Sequence, residues 1–339
     1  MVKTENIAVI GGGSWATALI KILSEHKKSA DSKINKLSWW VRSEEKAAYI
    51  RTNHHNPDYI SSIEIHPEWV SVSSNLQDVI KDAELLVIAI PAAFLEASLV
   101  ECSKEQFKDK IIVSAIKGLV PRTRQIVGDY FIEHYGVDEN KIIVISGPCH
   151  AEEVASEKLS YLTIAGLSRD LSASFAALLN NRYIRTVVSS DVRGTEYGAV
   201  LKNIYAVAAG ICHGLGYGDN FQAVLISNSI REMKRFLRNI TDADRKINHS
   251  AYLGDLLVTG YSLHSRNRTF GNMLGKGYTV TAAQLEMKMI AEGYYATKNL
   301  YELNQKMNIK MPILDTVYGI LYEGKSARQA VEKLSEKLV

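Results

Sequence analysis

The chain has 339 residues, 46% of them hydrophobic and 23% charged, with a formal net charge of +3. This is ordinary globular material with ample core, and the length favours two domains over one. So small a charge, with no Lys/Arg run interleaved with aromatics, excludes a nucleic-acid footprint; no apolar run approaches the roughly 18 residues a membrane span needs. The start MVKTEN lacks a signal-peptide pattern, so a cytoplasmic protein is expected. Cys102, Cys149 and Cys212 have no metal-type spacing and suit reduced thiols.

The first segment, IAVIGGGSWATALIKIL, reads as strand, glycine turn and helix: Ile7 to Ile10 are apolar, and Ala18, Leu19, Ile22 and Leu23 share one helical face. Gly11, Gly13 and Ala16 fill the small-residue positions of GxGxxG/A, which turn the chain, admit a pyrophosphate and let helix pack on strand. Amides at the helix start would face the diphosphate, with Ser14 and Trp15 within its reach. A second strand, Leu37 to Val41, ends at Arg42, where a carboxylate for the ribose hydroxyls is usual. A guanidinium there suits a 2′-phosphate and leans the reading slightly toward NADPH; the competing reading is a solvated loop arginine.

The runs Leu85 to Ile90, Ile111 to Ala115 and Ile142 to Ile145 are apolar almost throughout, as in strands buried on both faces of a mostly parallel sheet. Their ends carry Pro91, Lys117 and Gly147, and such ends line the ligand crevice of a doubly wound fold. Lys117 is thus a candidate to hold a substrate oxygen, or else a solvated lysine. Ala151 opens a helix after Gly147. Cys149 beside His150 invites a thiol-nucleophile reading, but adjacency in sequence does not supply the geometry of an activated cysteine. Leu162 to Ala165 and Ile184 to Val188 are expected to be the last strands, giving a sheet domain over 1–193 and a helical domain over 194–339.

The helical half begins with TEYGAVLKNIYAVAAGIC, an apolar segment whose mid-run charge is Lys202. Burial would lower the pKa of that ammonium and fit it for proton transfer near neutrality; alternatively the stem snorkels to water. Further helices are expected over Gln222 to Leu237, Leu285 to Tyr301 and a final piece with Ala327, Val331, Leu334 and Leu338 on one face. Asp255 is a lone acid in apolar GDLL, either a partner for Lys202 or a helix cap. In LHSRNRTFG, Ser265, Arg266, Asn267 and Arg268 crowd one turn and would cradle a phosphate monoester, unless they form only a solvated basic loop.

GGGSWATA, the IKG around Lys117, SGPCHAEEVA, LKNIYAVAAGI, LGDLLVT, SRNRTFG and AEGYYATKN occur in the order and approximate spacing of the bacterial NAD(P)-dependent glycerol-3-phosphate dehydrogenases, which the chain resembles over nearly its whole length. The resemblance implies a Rossmann-type doubly wound α/β domain followed by an all-helical one, and NAD(P)H as cofactor. Dihydroxyacetone phosphate and sn-glycerol 3-phosphate would be substrate and product, supplying phospholipid synthesis, and the enzyme would be a homodimer. It implies Lys202 as the proton acceptor, and Lys117, Gly147, Asp255, Ser265, Arg266 and Asn267 as substrate contacts. Ser14, Trp15, Arg42, Lys117, Ala151, Arg266, Ile290 and Glu292 match its cofactor contacts. Four positions depart from the family pattern. Cys149 replaces the substrate-contacting hydroxyl, His150 a phenylalanine, Asn228 a common arginine and Ala16 the commoner third glycine; a thiol is the weaker hydrogen-bond partner. Two rivals are a related 6-phosphogluconate or 3-hydroxyacid dehydrogenase, which should lack SRNRTFG beside LGDLLVT, and a non-catalytic dinucleotide sensor, which would not need Lys202, Asp255 and the phosphate turn together.

Overall fold

The near-continuous apolar runs form the middle of an eight-stranded sheet. In this computed structural model, which describes residues 5–241, 243, 245–287 and 291–339, the strands are β1 (Asn6–Ile10), β2 (Lys36–Trp40), β3 (Ser71–Ser73), β4 (Leu85–Ile88), β5 (Ile111–Ser114), β6 (Ile142–Ser146), β7 (Ser160–Gly166) and β8 (Ile184–Ser189). Their order is β3-β2-β1-β4-β5-β6-β7-β8. Every neighbouring pair is parallel except β6 and β7. The first six strands thus follow the 3-2-1-4-5-6 order of a doubly wound dinucleotide-binding sheet. All residues of β4, β5 and β6 are buried, including the serines that end β5 and β6, as expected of strands covered on both faces. The sequence reading missed β3, an edge strand with one buried side chain, Val72, and too few residues to show alternation.

Chain contacts divide the protein into two compact units, Met1–Ile116 with Val127–Val192 and Lys117–Ile126 with Arg193–Val339. The expected first domain had included 117–126. That segment groups with the second unit instead, because Leu119 and Ile126 are buried in its core. Lys117 therefore belongs with the helical unit.

In the first unit, helix Ser14–Lys27 buries Ala16, Ala18, Leu19, Ile22 and Leu23. Gly11, at φ +133, makes the turn before it, and a Cβ there would lie 2.4 Å from the Ala89 carbonyl oxygen. Only glycine fits.

In the second unit, helix Val192–Gly214 is buried continuously from Gly194 to Cys212. Helix Arg266–Gly275 crosses it at backbone contact: a Cβ on Gly210 would lie 2.1 Å from Arg268 O, and one on Gly271 2.1 Å from Val207 O. The amphipathic helix Asp219–Ile240 adds Leu225, Met233 and Phe236 to this core. The single helix expected over Leu285 to Tyr301 is instead two, Val280–Glu286 and Glu292–Met307, with extended backbone at Met287 and Ala291. The last helix, Ala327–Ser335, buries Val331 and Leu334, while Leu338 lies beyond its end. Among the described residues no helix is long and apolar enough to cross a membrane.

The crossing sets a clear expectation. Gly271→Ala forces the two helices apart and should cost about 1–3 kcal/mol or more, seen as a lower urea midpoint at unchanged slope.

Candidate active site

Lys202 and Asp255 meet inside the second unit, on helices Val192–Gly214 and Asp255–Tyr261. Their residues are 5% and 1% exposed, burial at which a charge needs a partner. Lys202 Nζ donates to Asp255 Oδ1 and to Thr259 Oγ1 at 2.9 Å. Lys117 Nζ donates to the other carboxylate oxygen, Asp255 Oδ2, at 3.0 Å. One carboxylate thus bridges two ammoniums. Asp255 is the first residue of its helix, yet its side chain serves the lysines rather than capping the helix.

A single π-helical turn, Ser250–Gly254, leads into Asp255; such turns re-aim side chains and recur at functional sites. One helical turn on, Thr259 Oγ1 donates to the Asp255 carbonyl at 2.6 Å and so points its lone pairs at Lys202. Beside Lys202, Asn203 Nδ2 donates to the Lys117 carbonyl at 2.8 Å. Asn267 Nδ2 donates to Asn203 Oδ1 at 2.9 Å, and Asn267 Oδ1 accepts from Gly293 N at 2.8 Å. Buried amides therefore fix Lys117 to the start of helix Arg266–Gly275. Sequence reading did not single out Thr259 or Asn203. Their signals were a hydroxyl four residues after the lone acid and a polar residue next to the lone lysine.

The electrostatics follow from this geometry. Burial takes the Lys202 ammonium down from its ordinary 10.5 to about 7; Asp255 opposes that shift and Lys117 reinforces it. Burial also works against charge on Asp255, but Lys117 and Lys202 outweigh it and hold the carboxyl below its usual range. A lysine that exists in both protonation states near neutrality can give and take a proton.

Of the other expected residues in this unit, Ser265 is the N-cap of helix Arg266–Gly275, its Oγ accepting from Arg268 N at 3.3 Å. Arg266 and Glu292 each begin a helix. Ile290 lies outside the described residues. Asn228 pairs both its amide groups with the backbone of Val339, at 2.8 and 3.2 Å, well away from any expected chemistry in sequence.

In the first unit, Gly11, Gly13, Ser14 and Trp15 form the turn and helix start at the carboxyl end of β1, with nothing within 4 Å of a Cβ built on Gly13. That open cradle, after a strand and before a helix, fits a dinucleotide diphosphate. Arg42 is exposed two residues beyond β2, its guanidinium 5.8 Å from the Phe94 ring centroid. Gly147 turns the chain at φ +123 after β6. The Cys149 thiol donates to Tyr161 O at 3.2 Å, and Ala151 begins the short helix Ala151–Ala155.

A glycine turn at the end of β1 of a 3-2-1-4-5-6 sheet, together with a buried lysine poised for proton transfer, defines a nicotinamide-dependent oxidoreductase. Residues 6–172 match the family model for the NAD-dependent glycerol-3-phosphate dehydrogenase N-terminus and residues 191–332 that for its C-terminus. The chain belongs to this family. It is 33% identical to the glycerol-3-phosphate dehydrogenase (NAD(P)+) of Ligilactobacillus salivarius, covering 98% of each chain. It is 34% identical to that of Pediococcus pentosaceus, covering 99% of this chain and 98% of the relative. The crystal structure of the Coxiella burnetii glycerol-3-phosphate dehydrogenase aligns with a TM-score of 0.90 at 28% identity, over 98% of this chain and 99% of that one.

Removing the bridging carboxylate tests the pair. Asp255→Ala leaves two ammoniums without the group that joins them and should cost about 3–5 kcal/mol of stability, measured by urea unfolding.

Proposed function

We propose that this protein reduces dihydroxyacetone phosphate to sn-glycerol 3-phosphate with NAD(P)H and catalyses the reverse oxidation, with Lys202 as the group that gives and takes the proton. The observation that carries this reading is the buried Lys202, bonded to Asp255 and brought to about 7. The chemistry a nicotinamide cofactor supplies when bound is a hydride for the carbonyl carbon. The remaining work falls to the chain.

As the carbonyl oxygen becomes an alkoxide, Lys202 protonates it, and in the oxidation the neutral amine removes the proton again. Asp255 holds Lys202 in place and stabilises its charged form. Lys117 puts a second positive charge beside the developing oxyanion, worth most where water is excluded. Arg266 and Asn267, with Ser265, hold the substrate phosphate, Arg266 by its planar fork of donors. Gly147 and Cys149 complete the substrate contacts, Cys149 more weakly than a hydroxyl would.

For the cofactor, Gly11, Gly13, Ser14 and Trp15 take the diphosphate, and Lys117, Ala151, Arg266 and Glu292 the remaining contacts. Arg42 reads the adenosine ribose, and its positive charge gives the lean to NADPH. The protein works as a cytoplasmic homodimer that supplies glycerol 3-phosphate for phospholipids.

The reading is tested by nicotinamide absorbance when protein meets dihydroxyacetone phosphate, with unphosphorylated dihydroxyacetone as control. Oxidation of NAD(P)H with the phosphorylated ketone alone is expected; cofactor binding without turnover of any phosphorylated ketone would make the protein a dinucleotide sensor. Lys202→Ala should lower turnover by roughly 10²–10⁴-fold with cofactor binding retained. Reduction needs the protonated lysine, so its rate should fall as pH rises through about 7, while the oxidation rate should rise. In Lys117→Met the loss of a neighbouring positive charge should move both limbs to higher pH. Arg42→Ala should raise KM for NADPH by about tenfold or more and leave that for NADH nearly unchanged.

A further inference from the structure

Three successive carbonyls of the glycine turn are each held by a side chain, two from elsewhere in the first unit and one from the first turn of the helix that follows. Trp39 Nε1 donates to Gly11 O at 2.7 Å, Asn56 Nδ2 to Gly12 O at 3.1 Å, and Thr17 Oγ1 to Gly13 O at 3.0 Å. Trp39 and Thr17 are fully buried and Asn56 is 2% exposed. Peptide groups are planar and trans, so a carbonyl tied in one direction aims the N–H of the next residue in the other. Fixing these three carbonyls therefore aims the amides of Gly12, Gly13 and Ser14 away from the side chains that hold them, and the space beside Gly13 is open.

Asn56 is the joint of this arrangement. It lies in the loop after helix Glu44–Asn53, far from the turn in sequence. Both hydrogens of its amide are used, since Nδ2 also donates to Thr17 Oγ1 at 2.9 Å. Its Oδ1 accepts from Asp58 N at 3.0 Å and Tyr59 N at 3.2 Å, which fixes the loop that carries it. One side chain thus ties the loop, the turn and the first helix together. An aspartate would keep the loop contacts but set an oxygen against Gly12 O.

We propose that Asn56 is a positioning residue for the cofactor: by holding the Gly12 carbonyl and the Thr17 hydroxyl it orients the turn amides that bind the diphosphate. The proposal rests on the reading of the protein as a nicotinamide-dinucleotide enzyme. It concerns no contact between Asn56 and the ligand, only the direction of the amides that make one.

The test is calorimetric titration of wild type and Asn56→Asp with ADP-ribose, which carries the diphosphate, and with adenosine 2′-monophosphate, which does not. Loss of the buried donor should weaken ADP-ribose binding by about tenfold or more and change adenosine 2′-monophosphate binding by less than about twofold. Should Asn56→Asp not fold, Trp39→Phe keeps an aromatic ring in the core, removes the donor to Gly11 O and should give the same signature. Unchanged ADP-ribose affinity in the folded variant, or an equal loss for both ligands, would overturn the proposal. A wild-type protein that binds no ADP-ribose would instead overturn the cofactor reading beneath it.

Discussion

An ammonium and a carboxylate share the interior of the second unit, and neither could remain charged there alone. Removing such groups from water costs several kcal/mol each, which close hydrogen-bonded pairing can repay. Lys202 and Asp255 meet that condition with almost no exposure between them. The pairing does not fully restore the lysine: burial still outweighs Asp255, and Lys117 on the far carboxylate oxygen adds repulsion. The result is a lysine neither permanently charged nor permanently neutral. Proton transfer to and from an alkoxide needs a group of that kind.

Much of the second unit can be understood as support for this pair. The helix bearing Lys202 has to be buried on every side, so its neighbours must approach closely, and at Gly210 and Gly271 two backbones touch where any side chain would intrude. The same crossing brings Asn267 to Asn203, and through Asn203 to the Lys117 backbone. Thr259 satisfies a second donor of Lys202, leaving the ammonium a polar environment without an added negative charge. In the first unit a parallel principle holds: Trp39, Asn56 and Thr17 fix backbone carbonyls so that the turn keeps one conformation. In both places buried polar side chains orient the groups that would do the chemistry.

The sequence displayed the strands and the two central charges because each has a strong local signature. β4, β5 and β6 are apolar but for the serines that end β5 and β6, and Lys202 and Asp255 are isolated charges in apolar runs. The rest depended on tertiary contacts that no local pattern carries. β3 is too short to alternate, and the extended backbone at Met287 and Ala291 falls in a stretch whose composition favours helix. The segment 117–126 joins the second unit through Leu119 and Ile126, two apolar residues that would suit either core. Asn56, in NHHNPDY, looks like any loop asparagine until its partners 39 and 44 positions earlier are known. The crowding of Ser265, Arg266 and Asn267 into one short turn was visible in LHSRNRTFG, whereas the link from Asn267 through Asn203 to Lys117 comes from geometry.

The account stands or falls on the titration of Lys202. It can be read directly from the lysine side-chain ¹³Cε signals over a pH series, with a Lys202→Met sample identifying the resonance. The account predicts one buried lysine with a midpoint at about 7, well below the ordinary 10.5. A midpoint at the ordinary value in folded protein would contradict it, because Lys202 would then hold its proton throughout the neutral range and could not serve as the base.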